Sequence, residues 1–200
     1  MCVVTPATAT HVSAPDWGEL FSVAQAHSGY FTTAQAAGAG YSLPLLHKYL
    51  VNGRVLRVRR GIYRLVHFPA SEHEDLVVLW LWADQAGVFS HETALALHDL
   101  SDVLPSKVHM TTPESWQHRR LRVPSGLVLH YADIGDADRM GFSAVQITTP
   151  LRTLRDCIEA NVSPQLMRQA VLQARRRGLI SEQDDAELDA SLDPASEGVR

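Results

Sequence analysis

An α+β chain of two modules is what the sequence predicts, and three observations carry the prediction. Charge is divided along the chain: residues 20–71 hold six basic side chains and no acidic one, whereas residues 72–200 hold 12 basic and 20 acidic, a net of −8. Hydrophobic spacing is helical up to about Val51 and alternates from Val55, the change of period that separates helix from strand. Capping residues, Gly and Pro recur between these runs and cut the chain into short elements. With 46 % hydrophobic and 20 % charged residues over 200 positions, the composition is that of a folded chain with one ordinary core or two small ones.

The elements follow in order. Residues 1–15 have no basic start and no sustained apolar core, so they are expected to be disordered and are not read as a secretory signal. Asp16 and Glu19 have the spacing of a capping box and open a helix through Leu20, Val23 and Ala24 to His27. Thr32 and Gln35 form a second box and open a short helix that stops at Gly38. Ser42 caps a third, with Pro44 in its first turn and Leu46, Tyr49 and Leu50 on one face. Val55 to Val66 reads as a β-hairpin that turns at Arg59-Arg60-Gly61. Helix, helix, turn, helix, hairpin is the order of a winged helix-turn-helix, placed on residues 16–70. Its third helix is expected to turn Ser42, Leu45, His47 and Lys48 outward toward a DNA groove, with Arg54, Arg57, Arg59, Arg60 and Arg64 beside it for phosphates.

Residues 71–190 are expected to form a second, mixed domain with several helices and a small sheet. Ser71 to Glu74 opens a helix to about Ala86, and Ser90 caps another. Residues 107–112, 127–132 and 143–148 alternate like strands. Thr149-Pro150 and Ser163-Pro164 start helices, a last one begins at Ser181, and residues 191–200 are expected to fray.

Several chemistries lack their residues. Cys2 and Cys157 are too few for a disulfide framework or a cysteine zinc site, which points to a reducing cytoplasm. No apolar run approaches the ~18–20 residues of a membrane span, and no membrane partner is expected. His91 and Glu92 with His98, or His109 with His130, are the pairs that could converge, yet no ligand spacing accompanies them and no metal or cofactor is expected. A nuclease acid-x-lysine pattern is absent, because Lys48 and Lys107 follow Leu46 and Pro105 at that distance. Asp99, Asp102, Asp133 and Asp136 read as caps and turns, so the chain is not expected to be an enzyme. Arg175, Arg176 and Arg177 form a possible second basic patch, better explained as the cationic end of a helix followed by Gly178.

Phe31 to Gly38 and Leu50 to Leu65, followed by Ser90 to Leu100, Val108 to Pro113 and Thr148 to Asp156, together resemble the AbiEi-type antitoxins of abortive-infection, type IV toxin–antitoxin systems. The resemblance spans residues 18–180. It implies that the first domain binds operator DNA and represses its own operon. It also implies that the second counteracts a cognate toxin, in this family usually nucleotidyltransferase-like. Two other functions stay open from the residues themselves: a DNA-targeted enzyme, and a ligand-sensing regulator without a toxin partner.

Overall fold

The structure is a computed structural model and describes residues 14–100, 102 and 104–192. The expected disorder at residues 1–13, Cys2 and the expected fraying at 193–200 lie outside the described residues; Ser191 and Leu192 are helical. Contacts divide the chain into two compact units, residues 1–81 and 82–200.

The first unit opens with α1 (Trp17–Ala26), capped by Asp16, whose carboxylate accepts from the Glu19 N–H at 3.1 Å. β1 (Tyr30–Thr32) leads into α2 (Thr33–Gly38), where Thr32 and Gln35 complete a reciprocal capping box. α3 (Leu43–Val51) starts at Ser42 with Pro44 in its first turn. β2 (Val55–Arg59) and β3 (Ile62–Leu65) form the hairpin, and α4 (Glu74–Trp82) carries the chain to the division between units. The sheet runs β1-β3-β2, antiparallel throughout, so the hairpin is anchored on its inner strand. Leu20, Ala24, Phe31, Ala36, Leu46 and Val55 are the buried centre of this unit. Gly29, at φ +91°, has no room for a side chain: a Cβ there would lie 2.5 Å from the Phe68 ring.

Two differences from the sequence reading matter here. β1 is a strand of three residues, too short to announce itself by alternation. The helix expected to reach Ala86 stops at Trp82, because Asp84 and Gln85 take left-handed φ values of 48° and 62°.

The second unit holds β4 (Val88–Phe89), α5 (His91–Leu97), β5 (Val108–Thr112), β6 (Leu127–Tyr131), β7 (Arg139–Phe142), β8 (Val145–Thr148), α6 (Pro150–Glu159), α7 (Pro164–Arg176) and α8 (Glu182–Leu192). Its five strands run β6-β5-β4-β8-β7 in a mixed sheet, with β4 parallel to β8 and antiparallel to β5. Met167, Ala170, Val171 and Ala174 form an i, i+3, i+4, i+7 stripe on α7 and share a core with Leu95, Leu154 and Leu188 of α5, α6 and α8. The expected α+β class, with a helix-turn-helix and hairpin followed by a mixed domain, is the architecture found.

Candidate nucleic-acid interface

The third helix and the hairpin are built by local interactions. Ser42 accepts from the Leu45 N–H at 3.4 Å, which leaves its hydroxyl proton free at the exposed start of α3. Leu46 is buried at 2 % exposure and fixes which face of the helix turns inward. His47 and Lys48 are exposed, with Lys48 in the last turn, where a cation complements the helix dipole. Leu45 does not join them. It is half-buried against the core of the unit, because the i, i+4 neighbours Leu45 and Tyr49 both close over it. The outward position at the start of α3 belongs instead to Leu43, 64 % exposed. Nothing in the binary pattern separates Leu43 from Leu45.

The hairpin carries a feature that alternation could not reveal. Arg57 pairs with Tyr63 and Arg59 with Ile62, so the register shifts at Val58, a β-bulge. Successive residues on β3 point to opposite faces, and cross-strand partners share a face. Arg57 and Arg59 therefore flank opposite faces of the wing, where an unbroken strand would align them. Arg57, Arg59 and Arg60 are exposed, and among the described residues none of them has an ion-pair partner. Leu56 and Val58, 52 % and 44 % exposed, lie between them. At the base of the hairpin the Arg54 guanidinium lies over the Tyr49 ring, 5.3 Å from its centre. Tyr49 in turn stacks with Trp17 and meets the edge of Tyr41. Burial, followed by its contact with Tyr49, pushes the Tyr41 hydroxyl up to about 12.

Arg64, expected with the phosphate-facing arginines, leaves that set. Its side chain is 15 % exposed, and its Nη2 donates to Glu74 at 2.8 Å and to the Phe68 carbonyl at 3.0 Å. Tyr30 donates to the other Glu74 oxygen at 2.8 Å. Burial works to raise the Glu74 carboxyl, but the bonds from Tyr30, Arg64 and the Ser71 N–H outweigh it and hold the group below its ordinary range. Burial and that same carboxylate push the Tyr30 hydroxyl up to about 12. Arg64 is thus part of the joint between β3 and α4.

The second basic run disperses in a similar way. Arg175 pairs with Asp185 at 2.6 Å, and Arg177 donates to the His98 and Asp99 carbonyls at 2.6 and 3.2 Å. All three are exposed, and Arg176 alone among them has no partner among the described residues. Of the histidine pairs, His109 and His130 do meet, Nδ1 to Nε2 at 3.0 Å, and His91 joins them. His98 turns away, its Nε2 against the Thr148 carbonyl at 2.7 Å. Among the described residues no three His, Cys, Asp or Glu side chains gather to hold a metal ion. Asp133 accepts from the Glu114 N–H and Asp136 pairs with Arg139, roles of a turn-former and a surface ion pair.

A capped, outward-facing third helix beside a bulged arginine wing defines a module of the winged helix-turn-helix class. Residues 19–66 match the model of a family described as "Transcriptional regulator, AbiEi antitoxin". That match runs from α1 to the end of the hairpin, so this segment is similar to the AbiEi antitoxin regulators that the sequence resembles. No curated protein matches the chain. Among the described residues no helix is long and apolar enough to cross a membrane.

Proposed function

We propose that residues 16–70 bind operator DNA and repress the chain's own operon, and that residues 71–190 counteract a cognate, nucleotidyltransferase-like toxin in the cytoplasm. The single observation that carries the DNA half is the unpaired set Arg57, Arg59 and Arg60 on a hairpin whose surroundings, residues 20–71, contain no acid. An unpaired guanidinium loses no internal partner when it meets a phosphate, so its whole interaction is available to DNA. Ser42 and Leu43 would approach the major groove at the start of α3, with Leu43 suited to a thymine methyl group and Ser42 to either base-edge donors or acceptors. Lys48, six residues on, would reach the backbone or a base at the other end of the helix. The toxin half rests on the family description of the first unit, which names antitoxins.

Two measurements test this reading. Fluorescence anisotropy of the full chain with duplex DNA from upstream of its own gene, against a scrambled duplex of equal length, should show tighter binding to the upstream DNA. Three to five phosphate contacts, from Arg57, Arg59 and Arg60 with Arg54 and Lys48, give a log K against log [salt] slope of about −3 to −4.5. Equal affinity for both duplexes would remove the operator, and a flat salt response would remove DNA. Co-expression with the adjacent gene should restore growth if that gene encodes the toxin, and rescue should require residues 71–190.

A further inference from the structure

The second unit contains a half-buried polar array that the proposed DNA interface does not use. Thr111 Oγ1 donates to Ser90 Oγ at 2.8 Å, so the Ser90 proton is free to go to His91 Nδ1, 2.9 Å away. His91 then carries its own proton on Nε2. A second chain starts at Glu92, whose carboxylate accepts from His109 Nε2 at 3.3 Å. His109 Nδ1 is thereby an acceptor and takes the Nε2 proton of His130 at 3.0 Å. His130 Nδ1 is left as an acceptor with its lone pair unused. The His91 and His130 rings lie face to face, 3.6 Å between centres and 13° apart. Both are neutral near pH 7: burial lowers both, and neighbouring imidazoles add to it, taking His91 to about 3.

This stack forms one wall of an open cavity of about 390 Å³, within the range of small-molecule sites. Tyr131, Arg152, Asp156 and Glu159 line the rest with it. Asp156 is the informative member. Its side chain is 7 % exposed; one oxygen takes Arg152 Nε at 2.7 Å, and the other, Oδ2, is buried with no hydrogen-bond partner. Such an oxygen forfeits a hydrogen bond unless something supplies a donor. Arg152 offers no net positive charge to an incoming anion, because two carboxylates already balance it, Asp156 at Nε and Asp138 at Nη1, 3.0 Å away. With Glu159 at the rim, the cavity is rich in acceptors, flat-walled and unfavourable to phosphate.

We propose that this cavity binds a planar nitrogen heterocycle carrying an exocyclic amino group, of the nucleobase class, as the free base or nucleoside and not as a nucleotide. The amino group donates to Asp156 Oδ2, a ring N–H or amino proton meets His130 Nδ1, and His91 Nε2–H meets a ring acceptor. The test is isothermal titration of the full chain with adenosine, guanosine, cytidine, uridine and adenosine 5′-monophosphate. Expected is binding by at least one amino-bearing nucleoside, with uridine weaker by about tenfold or more, the loss that follows an unmade buried hydrogen bond. Adenosine monophosphate should bind more weakly than adenosine. Asp156→Asn and, separately, His130→Ala should each weaken the best ligand about tenfold, while circular dichroism reports whether each variant keeps its fold. His130→Ala leaves the Arg152 pairs intact and decides the matter if Asp156→Asn unfolds. No heat from any nucleoside, uridine or the monophosphate binding as tightly as the amino nucleosides, or unchanged affinity in His130→Ala would each overturn the proposal. Arg59→Ala with Arg60→Ala should leave nucleoside binding untouched, so the outcome is independent of the DNA reading.

Discussion

Two runs of arginine, residues 57–60 in the wing and 175–177 at the end of α7, look alike in sequence and differ in the structure. The wing arginines project from a bulged hairpin in a stretch of chain without acids. Those of α7 sit where the acidic helix α8 and two backbone carbonyls are within reach, and two of the three are spent there. Local density of positive charge therefore does not tell which guanidinium is free to take a new partner; that depends on whether the fold has already paired it. Arg64 makes the same point inside the hairpin itself, five residues from Arg59 and committed to Glu74.

Arg64→Ala should produce the largest change. It leaves Glu74 short of its charged partner in a mostly buried site, which costs about 2–3 kcal/mol. Thermal unfolding should shift down while the salt slope of DNA binding stays the same. A flattened slope with unchanged stability would return Arg64 to the phosphate-binding set and break the comparison.

Arg59→Ala with Arg60→Ala should do the reverse: stability is unchanged and the salt slope flattens by about two, with affinity lost alike on every sequence. Affinity equal to the parent chain would show that the wing does not touch DNA. Lys48→Ala sharpens the picture further. It costs about 1–3 kcal/mol on the operator alone if Lys48 reads a base, and an equal loss on scrambled DNA assigns it to a phosphate. Arg175→Ala with Arg177→Ala should leave DNA affinity and its salt slope where they were; a shallower slope would reinstate the second patch.

The two units also differ in where their neutral histidines gather. His91, His109 and His130 are all held below the ordinary imidazole value by burial. A lowered folded-state pKa means that the unfolded chain binds protons first. Stability from these groups is thus complete above about pH 6.5 and is lost as the pH falls below it. Proton NMR titration should find the His91 ring still neutral at pH 5. A midpoint near 6.5 would mean that the stack with His130 is not formed.

Much of the helical framework was legible because helix starts are decided within four residues. Asp16, Thr32 with Gln35, Ser42 with Pro44, Thr149-Pro150 and Ser163-Pro164 each mark a helix start found in the structure. The hairpin was legible for a similar reason, since Gly61 sits at the turn between two runs of strand formers. β1, β4 and β7 were not. Two to four residues are too few to show a period; β1 and β4 are strands because distant segments complete their hydrogen bonds, and β7 because it pairs with the next strand, β8.

By itself the sequence determined the order of the helices and the hairpin, the α+β class and the division of charge, all properties of neighbouring residues along the chain. Only the tertiary structure decided which arginines remain unpaired, that Val58 bulges and turns Arg57 and Arg59 apart, and that Leu43 rather than Leu45 faces outward. It also brought His91, His109 and His130 together from a helix and two strands, with Asp156 from a fourth segment lining the same cavity. Those outcomes depend on partners from a hairpin turn to tens of residues away, and a side chain's availability is the difference between its own chemistry, which the sequence states, and what the fold has already paired it with.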